Sequence, residues 1–242
     1  MNIKEIKGMI LAAGLGTRMR PLTDAMPKSL LPVAGRALID WTLDWFAKAG
    51  VGDVVVNSFY KADMLEAHLA ARVGAPKIRT LREEVLLETG GGIKNALPYM
   101  GTPFFSANSD AICIDGKIPA LHRLLQAWDD EAMDALLLVY PLAEAVGHNG
   151  KGDFFVDGGR VRRRGQADFA PFVYTGVQLL HPRIFKNSPE GAFSMNVLYD
   201  RDRTEDGTLH RVHTLVHDGK WLDVGDPEGL KLAEQRLSAA NI

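Results

Sequence analysis

The spacing of apolar residues alternates between two patterns along the first 140 positions. Residues 8–13 form a continuous apolar run that ends in glycines, which is typical of a strand buried on both faces. Residues 38–49 instead carry apolar side chains at helical spacing, and Gly50 supplies a stop. Strands are likewise predicted at 53–57, 77–81, 103–107 and 135–140, and helices at 61–72, 92–99 and 118–128. Such alternation predicts an α/β fold with a doubly wound, mostly parallel, Rossmann-like sheet.

The pattern changes after residue 140. Residues 150–164 are rich in glycine and charge and predict a hairpin that turns at 157–159. Further strands are expected at 173–180 and 212–217, and a last helix at 227–240, with Pro227 near its first turn. Because no linker divides the chain, we expect one domain over 1–242: a core at 1–140, a smaller β-rich part at 141–220 and a closing helix at 221–242.

Composition narrows the possible functions. Hydrophobic residues make up 46% of the 242 residues and charged residues 24%, which is enough apolar material for a core. The net charge of −2 argues against a nucleic-acid binder, so an anionic partner must be bound by local groups. A single cysteine excludes a disulfide framework. No apolar run approaches about 18 residues and no signal peptide is recognisable, so we expect no membrane association and a location in the cytoplasm.

A glycine-rich turn, LAAGLGTRMRPLT at residues 11–23, follows the first predicted strand. Small residues let the backbone N–H groups approach phosphate oxygens, and Arg18 adds a bidentate fork. A dinucleotide fingerprint is disfavoured because its third glycine is replaced by Met19 and because Pro21 breaks the following helix. A P-loop is excluded, since no Gly-Lys pair continues to Ser or Thr. A purely structural turn is the remaining alternative.

This turn, together with PKSLLPV at 27–33, resembles the signature of the sugar-phosphate nucleotidyltransferases. Further landmarks of that family follow in order: ETGGG at 88–92, NSD at 108–110 and LDVG at 222–225. With HNGKGDF at 148–154 and the short length, the chain is most similar to the N-acetylmuramate 1-phosphate uridylyltransferases of peptidoglycan recycling. The resemblance implies a Mg²⁺-dependent enzyme that joins an NTP, with UTP favoured, to a sugar 1-phosphate.

The resemblance also implies roles for individual residues. Arg18, Lys28 and Asp110 would be catalytic, with Arg18 on the leaving pyrophosphate and Lys28 on the α-phosphate. Mg²⁺ would be held by Asp110 and Asp223, with Asp226 as a competitor for the second position. The nucleotide would contact Leu11, Ala12, Ala13, Gly14, Gly16, Thr17, Arg18, Lys28, Gly90, Gly91 and Asn108. The sugar phosphate would contact Asn149, Lys151, Gly152, Asp153 and Thr175, all in the 141–220 part.

Two of these assignments have open alternatives. Lys151 is either a second lysine on the sugar phosphate or a surface lysine of the hairpin. Glu83 or Glu84 lies where the family often places a residue that contacts the base, and a solvated charge is the alternative.

The chemistry implied by the resemblance needs no general base. The second pKa of a phosphate monoester is about 6, so the attacking oxygen is already anionic at pH 7. Catalysis then comes from alignment and charge neutralisation. A guanylyl- or thymidylyltransferase that acts on mannose or glucose 1-phosphate is the enzymatic alternative, and a catalytically silent nucleotide-sugar sensor is the other. The oligomeric state is not predicted.

Overall fold

The apolar runs form the centre of a nine-stranded sheet in the computed structural model, which describes residues 1–158, 160–201 and 203–239. The strands of the described residues are β1 (Gly8–Leu11), β2 (Pro32–Val33), β3 (Arg36–Ala37), β4 (Asp53–Ser58), β5 (Lys77–Arg82), β6 (Phe104–Asn108), β7 (Ala111–Ile114), β8 (Ala135–Pro141), β9 (Phe154–Asp157), β10 (Arg160–Arg163), β11 (Phe172–Leu180), β12 (Thr208–Val216) and β13 (Lys220–Asp223). The helices are α1 (Leu22–Ala25), α2 (Leu38–Ala49), α3 (Ala62–Ala71), α4 (Glu88–Ala96), α5 (Ala120–Ala127), α6 (Asn196–Tyr199) and α7 (Pro227–Ala239).

The main sheet has the order β5-β4-β1-β6-β11-β8-β12-β10-β9. Strands β5, β4, β1 and β6 are parallel neighbours, and β12 is parallel to β8. Strands β11 and β10 run against the others, because β11 is antiparallel to β6 and β8, and β10 to β12 and β9. The predicted mostly parallel α/β sheet is confirmed.

The strands of the β-rich part belong to the main sheet. Strand β11 lies between β6 and β8, and the β9–β10 hairpin forms the edge opposite β5. Residues 175–180 of β11 are buried, as expected for a strand with neighbours on both sides. The division into a core, a 141–220 part and a closing helix stays a prediction. Of the predicted turn at 157–159, Gly159 lies outside the described residues.

The predicted helices agree with the structure to within two residues, except for α4. Helix α2 has the predicted bounds and ends at Gly50, whose φ of 98° is left-handed. Helix α4 begins at Glu88, four positions before the predicted residue 92, so the three glycines of the ETGGG landmark lie inside a helix. Glycine is a poor helix former, which is why the spacing rule missed this turn. None of the described helices is both long and apolar enough to cross a membrane.

A small second sheet joins β7 to β13 in antiparallel register. Neither strand was predicted, because four-residue runs carry little periodicity. Helix α7 covers this sheet and buries Ala233 and Leu237 in a cluster with Ile112, Leu222 and Val224. The predicted closing helix is confirmed to Ala239, and residue 240 lies outside the described residues. This ladder joins the NSD and LDVG landmarks.

Candidate active site

The glycine-rich turn begins at the carboxyl end of β1 and is held in place by two hydrogen bonds. The Ala12 N–H donates to Asn57 Oδ1 at 2.7 Å, and Thr23 Oγ1 donates to the Gly16 carbonyl at 2.8 Å. Gly16 has a φ of 63°, and a Cβ there would lie 2.9 Å from the Thr23 side chain and 3.1 Å from Lys28 Cβ. After Gly16 the chain makes only a short 3-10 helix, Thr17–Met19. The geometry therefore differs from a dinucleotide fingerprint, in which a long helix receives the pyrophosphate.

A cavity of 390 Å³ lies beside this turn, and we call it the loop cavity. Its lining residues come from the turn, from the start of α4 and from the end of β6: Leu11, Ala12, Ala13, Gly14, Lys28, Ser29, Asn57, Leu86, Glu88, Thr89, Asn108, Ser109, Asp110 and Ser194. The structure thus brings together six of the predicted nucleotide-binding residues, Leu11, Ala12, Ala13, Gly14, Lys28 and Asn108.

A second cavity of 280 Å³ lies beside the β9–β10 hairpin, and we call it the hairpin cavity. Its lining residues are Arg18, Asn108, Asp110, Ala111, His148, Asp153, Phe154, Arg163, Val173, Tyr174, Thr175, Gly176, Asn196, Tyr199, Trp221 and Asp223. Asn108 and Asp110 line both cavities, so the two spaces meet at the end of β6. A ligand in the loop cavity and a ligand in the hairpin cavity would therefore lie next to each other beside Asn108 and Asp110.

The Asn108 side chain can occupy this meeting point because the neighbouring strand β11 has a glycine beside it. Gly176 has a φ of 85°, and a Cβ there would lie 2.8 Å from Asn108 Nδ2. The register between β11 and β8 shifts between Tyr174 and Gln178, around this glycine. The irregularity in β11 therefore makes space for a side chain from the neighbouring strand.

Two carboxylates are brought to this point from distant parts of the chain. In the β7–β13 ladder Asp223 pairs with Ala111, and the Val224 N–H donates to the Asp110 carbonyl at 3.0 Å. The Asp110 carboxylate accepts from Lys28 Nζ at 2.9 Å. The Asp223 carboxylate lies 2.8 Å from His148 Nδ1. Each carboxylate therefore has one fixed partner and faces the hairpin cavity.

Asp226 has a different role from Asp223. Its Oδ1 accepts the Gly229 N–H at 2.9 Å at the beginning of α7. That backbone hydrogen bond is the main reason why the pKa of Asp226 is lowered. Asp226 is thus a helix cap, and Asp223 is the carboxylate that lines the cavity.

Gly90 and Gly91 pack against another segment of the chain. Both of their N–H groups donate to the Phe193 carbonyl, at 2.8 and 3.2 Å. A Cβ on Gly90 would lie 2.3 Å from the Phe193 ring, and one on Gly91 2.4 Å from the Gly191 carbonyl oxygen. The residues of this helix that line the loop cavity are Glu88 and Thr89. The packing accounts for both glycines, and their predicted contact with the nucleotide stays a prediction.

The predicted sugar-phosphate residues divide into two groups. Asp153 and Thr175 line the hairpin cavity. Asp153 Oδ2 accepts the Tyr174 N–H at 2.8 Å, and Thr175 Oγ1 donates to the Leu138 carbonyl at 2.8 Å. The Thr175 hydroxyl is therefore engaged within the sheet, so Asp153 is the better candidate for a polar contact with a ligand.

Asn149, Lys151 and Gly152 are not among the residues that line either cavity. Asn149 Nδ2 donates to Asp226 at 3.3 Å, and the Lys151 side chain is exposed. Gly152 has a φ of 75°, and a Cβ there would lie 2.1 Å from the Ala170 carbonyl oxygen. The predicted contacts of these three residues with the sugar phosphate therefore stay a prediction: the loop follows the backbone of residues 170–172, and the Lys151 side chain faces solvent.

A buried polar chain behind the glycine-rich turn was not recognised from the sequence. Asn57 Nδ2 donates to Glu83 Oε1 at 2.7 Å, and Glu83 Oε2 accepts the Leu87 N–H at 3.0 Å. Glu83 is only 4% exposed, so it is not a solvated charge, whereas Glu84 is exposed. Asn57 follows a run of three valines in β4. A polar residue at the end of a buried apolar run needs a hydrogen-bond partner, and this is the signal from which the buried polar chain could have been predicted.

Comparison with known protein families matches residues 8–188 to the MobA-like NTP transferase domain. The chain belongs to this family. N-acetylmuramate alpha-1-phosphate uridylyltransferase of Caulobacter vibrioides is 45% identical over 96% of the chain and 97% of that protein. The protein of the same name from Neisseria meningitidis serogroup B is 33% identical over 97% and 99%. The predicted membership among the sugar-phosphate nucleotidyltransferases is confirmed.

A solved structure supports the same fold. HddC from Yersinia pseudotuberculosis, crystallised with GMP-PN, superposes with a TM-score of 0.76 over 96% of this chain and 99% of HddC. The sequences are 21% identical, so this likeness concerns the fold alone.

Proposed function

We propose that this MobA-like NTP transferase joins UTP to N-acetylmuramate 1-phosphate and releases pyrophosphate. The observation that carries the proposal is the meeting of the loop cavity and the hairpin cavity at Asn108 and Asp110, with Lys28 beside them. The two relatives that match nearly the whole chain bear the name of this activity. The uridine and α-phosphate of UTP would occupy the loop cavity, its terminal phosphates would extend to Arg18, and the sugar would occupy the hairpin cavity.

Charge supports this arrangement of substrates. Lys28 lines the loop cavity, and Arg18, which belongs to the glycine-rich turn, lines the hairpin cavity. Lys28 would neutralise charge on the α-phosphate and on the attacking sugar phosphate, and Arg18 would do so on the leaving pyrophosphate. Glu83 is bonded to Asn57 and Leu87, so it would support the turn from behind the cavity.

The reaction would be one in-line displacement. An oxygen of the sugar phosphate attacks the α-phosphorus of UTP, a P–O bond forms, and the bond to the β-phosphate oxygen breaks with pyrophosphate leaving. Because the attacking oxygen is anionic at pH 7, no side chain has to remove a proton. The chain's contribution is to hold two anions in line, which Lys28, Arg18 and the backbone of the turn are placed to do.

The carboxylate pair fits a magnesium ion. Mg²⁺ prefers oxygen ligands and is commonly held by one or two carboxylates together with waters and substrate phosphates. Asp110 and Asp223 supply two carboxylates from adjoining strand ends at the hairpin cavity. Among the described residues, no group of three or more carboxylate, histidine or cysteine side chains is arranged to hold a metal ion. When bound, the ion would neutralise phosphate charge during the displacement.

A pyrophosphate-release assay tests the proposed substrates. Each of UTP, GTP and dTTP is combined with the 1-phosphates of N-acetylmuramate, N-acetylglucosamine, glucose and mannose, in the presence of Mg²⁺. We expect UTP with N-acetylmuramate 1-phosphate to give the highest kcat/KM. If UTP is no better than GTP or dTTP with every sugar, the uridylyl assignment fails. If no pair turns over while nucleotide sugars bind, the chain is a sensor instead.

The proposal carries two further expectations. The product would be UDP-N-acetylmuramate, which suits a role in peptidoglycan recycling. The expected location in the cytoplasm stays a prediction.

A further inference from the structure

Arg163 lies at the wall of the hairpin cavity and is held from two sides. Its Nε donates to Asp200 Oδ1 at 2.8 Å, and its Nη2 donates to Asn196 Oδ1 at 2.8 Å. The guanidinium carbon lies 5.0 Å from the centre of the Phe154 ring and 5.8 Å from that of Tyr199. The side chain is only 16% exposed. These contacts fix the orientation of the guanidinium before any ligand arrives.

The fixed guanidinium still has donors to offer. A guanidinium carries five N–H groups, and Nε and Nη2 use two of them here. Nη1 has no hydrogen-bond partner among residues 1–158, 160–201 and 203–239. An immobilised arginine with free donors is suited to a carboxylate, because little conformational entropy remains to be lost on binding.

The other cationic groups near the meeting point of the two cavities have different surroundings. Arg18 lies beside Gly225, next to Asp223, and Lys28 is paired with Asp110. Arg163 instead stands among Phe154, Asn196 and Tyr199, on the hairpin and α6. The cavity therefore carries a positive group separate from those placed for the phosphates.

N-acetylmuramate differs from N-acetylglucosamine by a lactyl ether on the sugar ring, and this ether ends in a carboxylate. We propose that Arg163 binds that carboxylate and selects a sugar 1-phosphate with an acidic substituent over neutral sugars. The inference rests on the proposed function and identifies the part of the substrate that the site recognises. Asn196 and Asp200 would be positioning residues, since their side chains accept the two hydrogen bonds that hold the guanidinium.

A purely structural role makes a different prediction. Arg163 also joins the hairpin to α6, so its loss could disturb the cavity for every sugar. Recognition of the carboxylate, by contrast, affects only the substrate that carries one. The ratio of kcat/KM for N-acetylmuramate 1-phosphate to that for N-acetylglucosamine 1-phosphate separates the two roles, because a general disturbance leaves the ratio unchanged.

The test compares Arg163→Gln with the wild type and with Arg162→Gln as the matched control. Arg162 is the preceding residue of the same strand, so it points to the other face, and its guanidinium stacks on Phe155. Steady-state pyrophosphate release is measured with both sugar phosphates at saturating UTP. A charge-assisted hydrogen bond is worth about tenfold to hundredfold in affinity. We expect Arg163→Gln to raise the KM for N-acetylmuramate 1-phosphate by this factor, with kcat changed less than about threefold.

The remaining outcomes each decide the proposal. Unchanged kinetics with N-acetylglucosamine 1-phosphate and with Arg162→Gln support it, whereas an equal loss with both sugars in Arg163→Gln overturns it. If Arg163→Gln does not fold, the wild type is assayed with N-acetylmuramate 1-phosphate and with its neutral lactyl amide. Equal kcat/KM for acid and amide overturns the role of Arg163 and leaves the proposed function intact. A wild type that prefers N-acetylglucosamine 1-phosphate removes the proposed function itself.

Discussion

Replacing Asn57 with alanine tests whether the buried polar chain supports the glycine-rich turn. Asn57 is 2% exposed and joins the Ala12 N–H to the Glu83 carboxylate through two hydrogen bonds of 2.7 Å. The alanine variant removes both hydrogen bonds at once. It leaves the N–H of a buried residue and one oxygen of a buried carboxylate without a protein partner.

The size of the effect follows from these two groups. An unsatisfied buried N–H costs about 1–3 kcal/mol, and losing a hydrogen bond to a charged group costs about 1.5–3 kcal/mol. Together they predict a loss of about 2.5–6 kcal/mol, which is a large part of a total stability of about 5–15 kcal/mol. For a chain of this size, that corresponds to a fall in Tm of roughly 5–24 °C. The KM for UTP should rise as well, because the turn would lose the hydrogen bond that holds Ala12.

Thermal unfolding measures the effect, with Ser58→Ala as the matched control. Ser58 is the next residue of β4, and it is fully buried and bonded to Glu66 at 2.6 Å. Glu66 keeps its ion pair with Arg82, so the control leaves no carboxylate without a partner and should cost about 1 kcal/mol. A loss for Asn57→Ala no greater than that of Ser58→Ala would refute the reasoning. If the Asn57→Ala variant is destabilised but its KM for UTP is unchanged, the claim that Asn57 supports the glycine-rich turn is wrong.

Three further predictions concern the carboxylate pair, the meeting point of the cavities and pH. Asp110→Asn should lower kcat by about 100-fold or more with the fold retained; unchanged turnover would remove its metal role. Gly176→Ala should lower activity by displacing Asn108, whereas Gly158→Ala, with a left-handed φ in open space, should leave it intact; equal activities would contradict this. Burial lowers the pKa of His217 from 6.5, so the unfolded chain binds more protons below that pH and stability falls as the pH drops. His217→Asn should weaken the pH dependence of the free energy of unfolding, which is measured by unfolding at several pH values. If the slope of stability against pH is the same as in the wild type, this prediction is wrong.

The helices and central strands could be predicted because their side chains repeat at a regular spacing. Helix α2 has its predicted bounds, since apolar positions follow the 3.6-residue period and Gly50 ends it. The β7–β13 ladder could not be predicted, because each strand is four residues long and the partners are about a hundred positions apart. Strand β11 was predicted as a strand, but its place between β6 and β8 depends on pairing, which a single sequence does not encode locally.

The site divides along the same line. The sequence by itself predicted a phosphate-binding turn at residues 11–23 from its small residues and Arg18, and the resemblance to the sugar-phosphate nucleotidyltransferases predicted roles for Lys28 and Asp110. Only the tertiary structure decided that Asp223 rather than Asp226 faces the cavity, since the choice depends on the start of α7. It likewise turned Lys151 to solvent and brought Arg163 to the wall of the hairpin cavity. Long-range packing determines which side chains face a cavity, and no local pattern reports it.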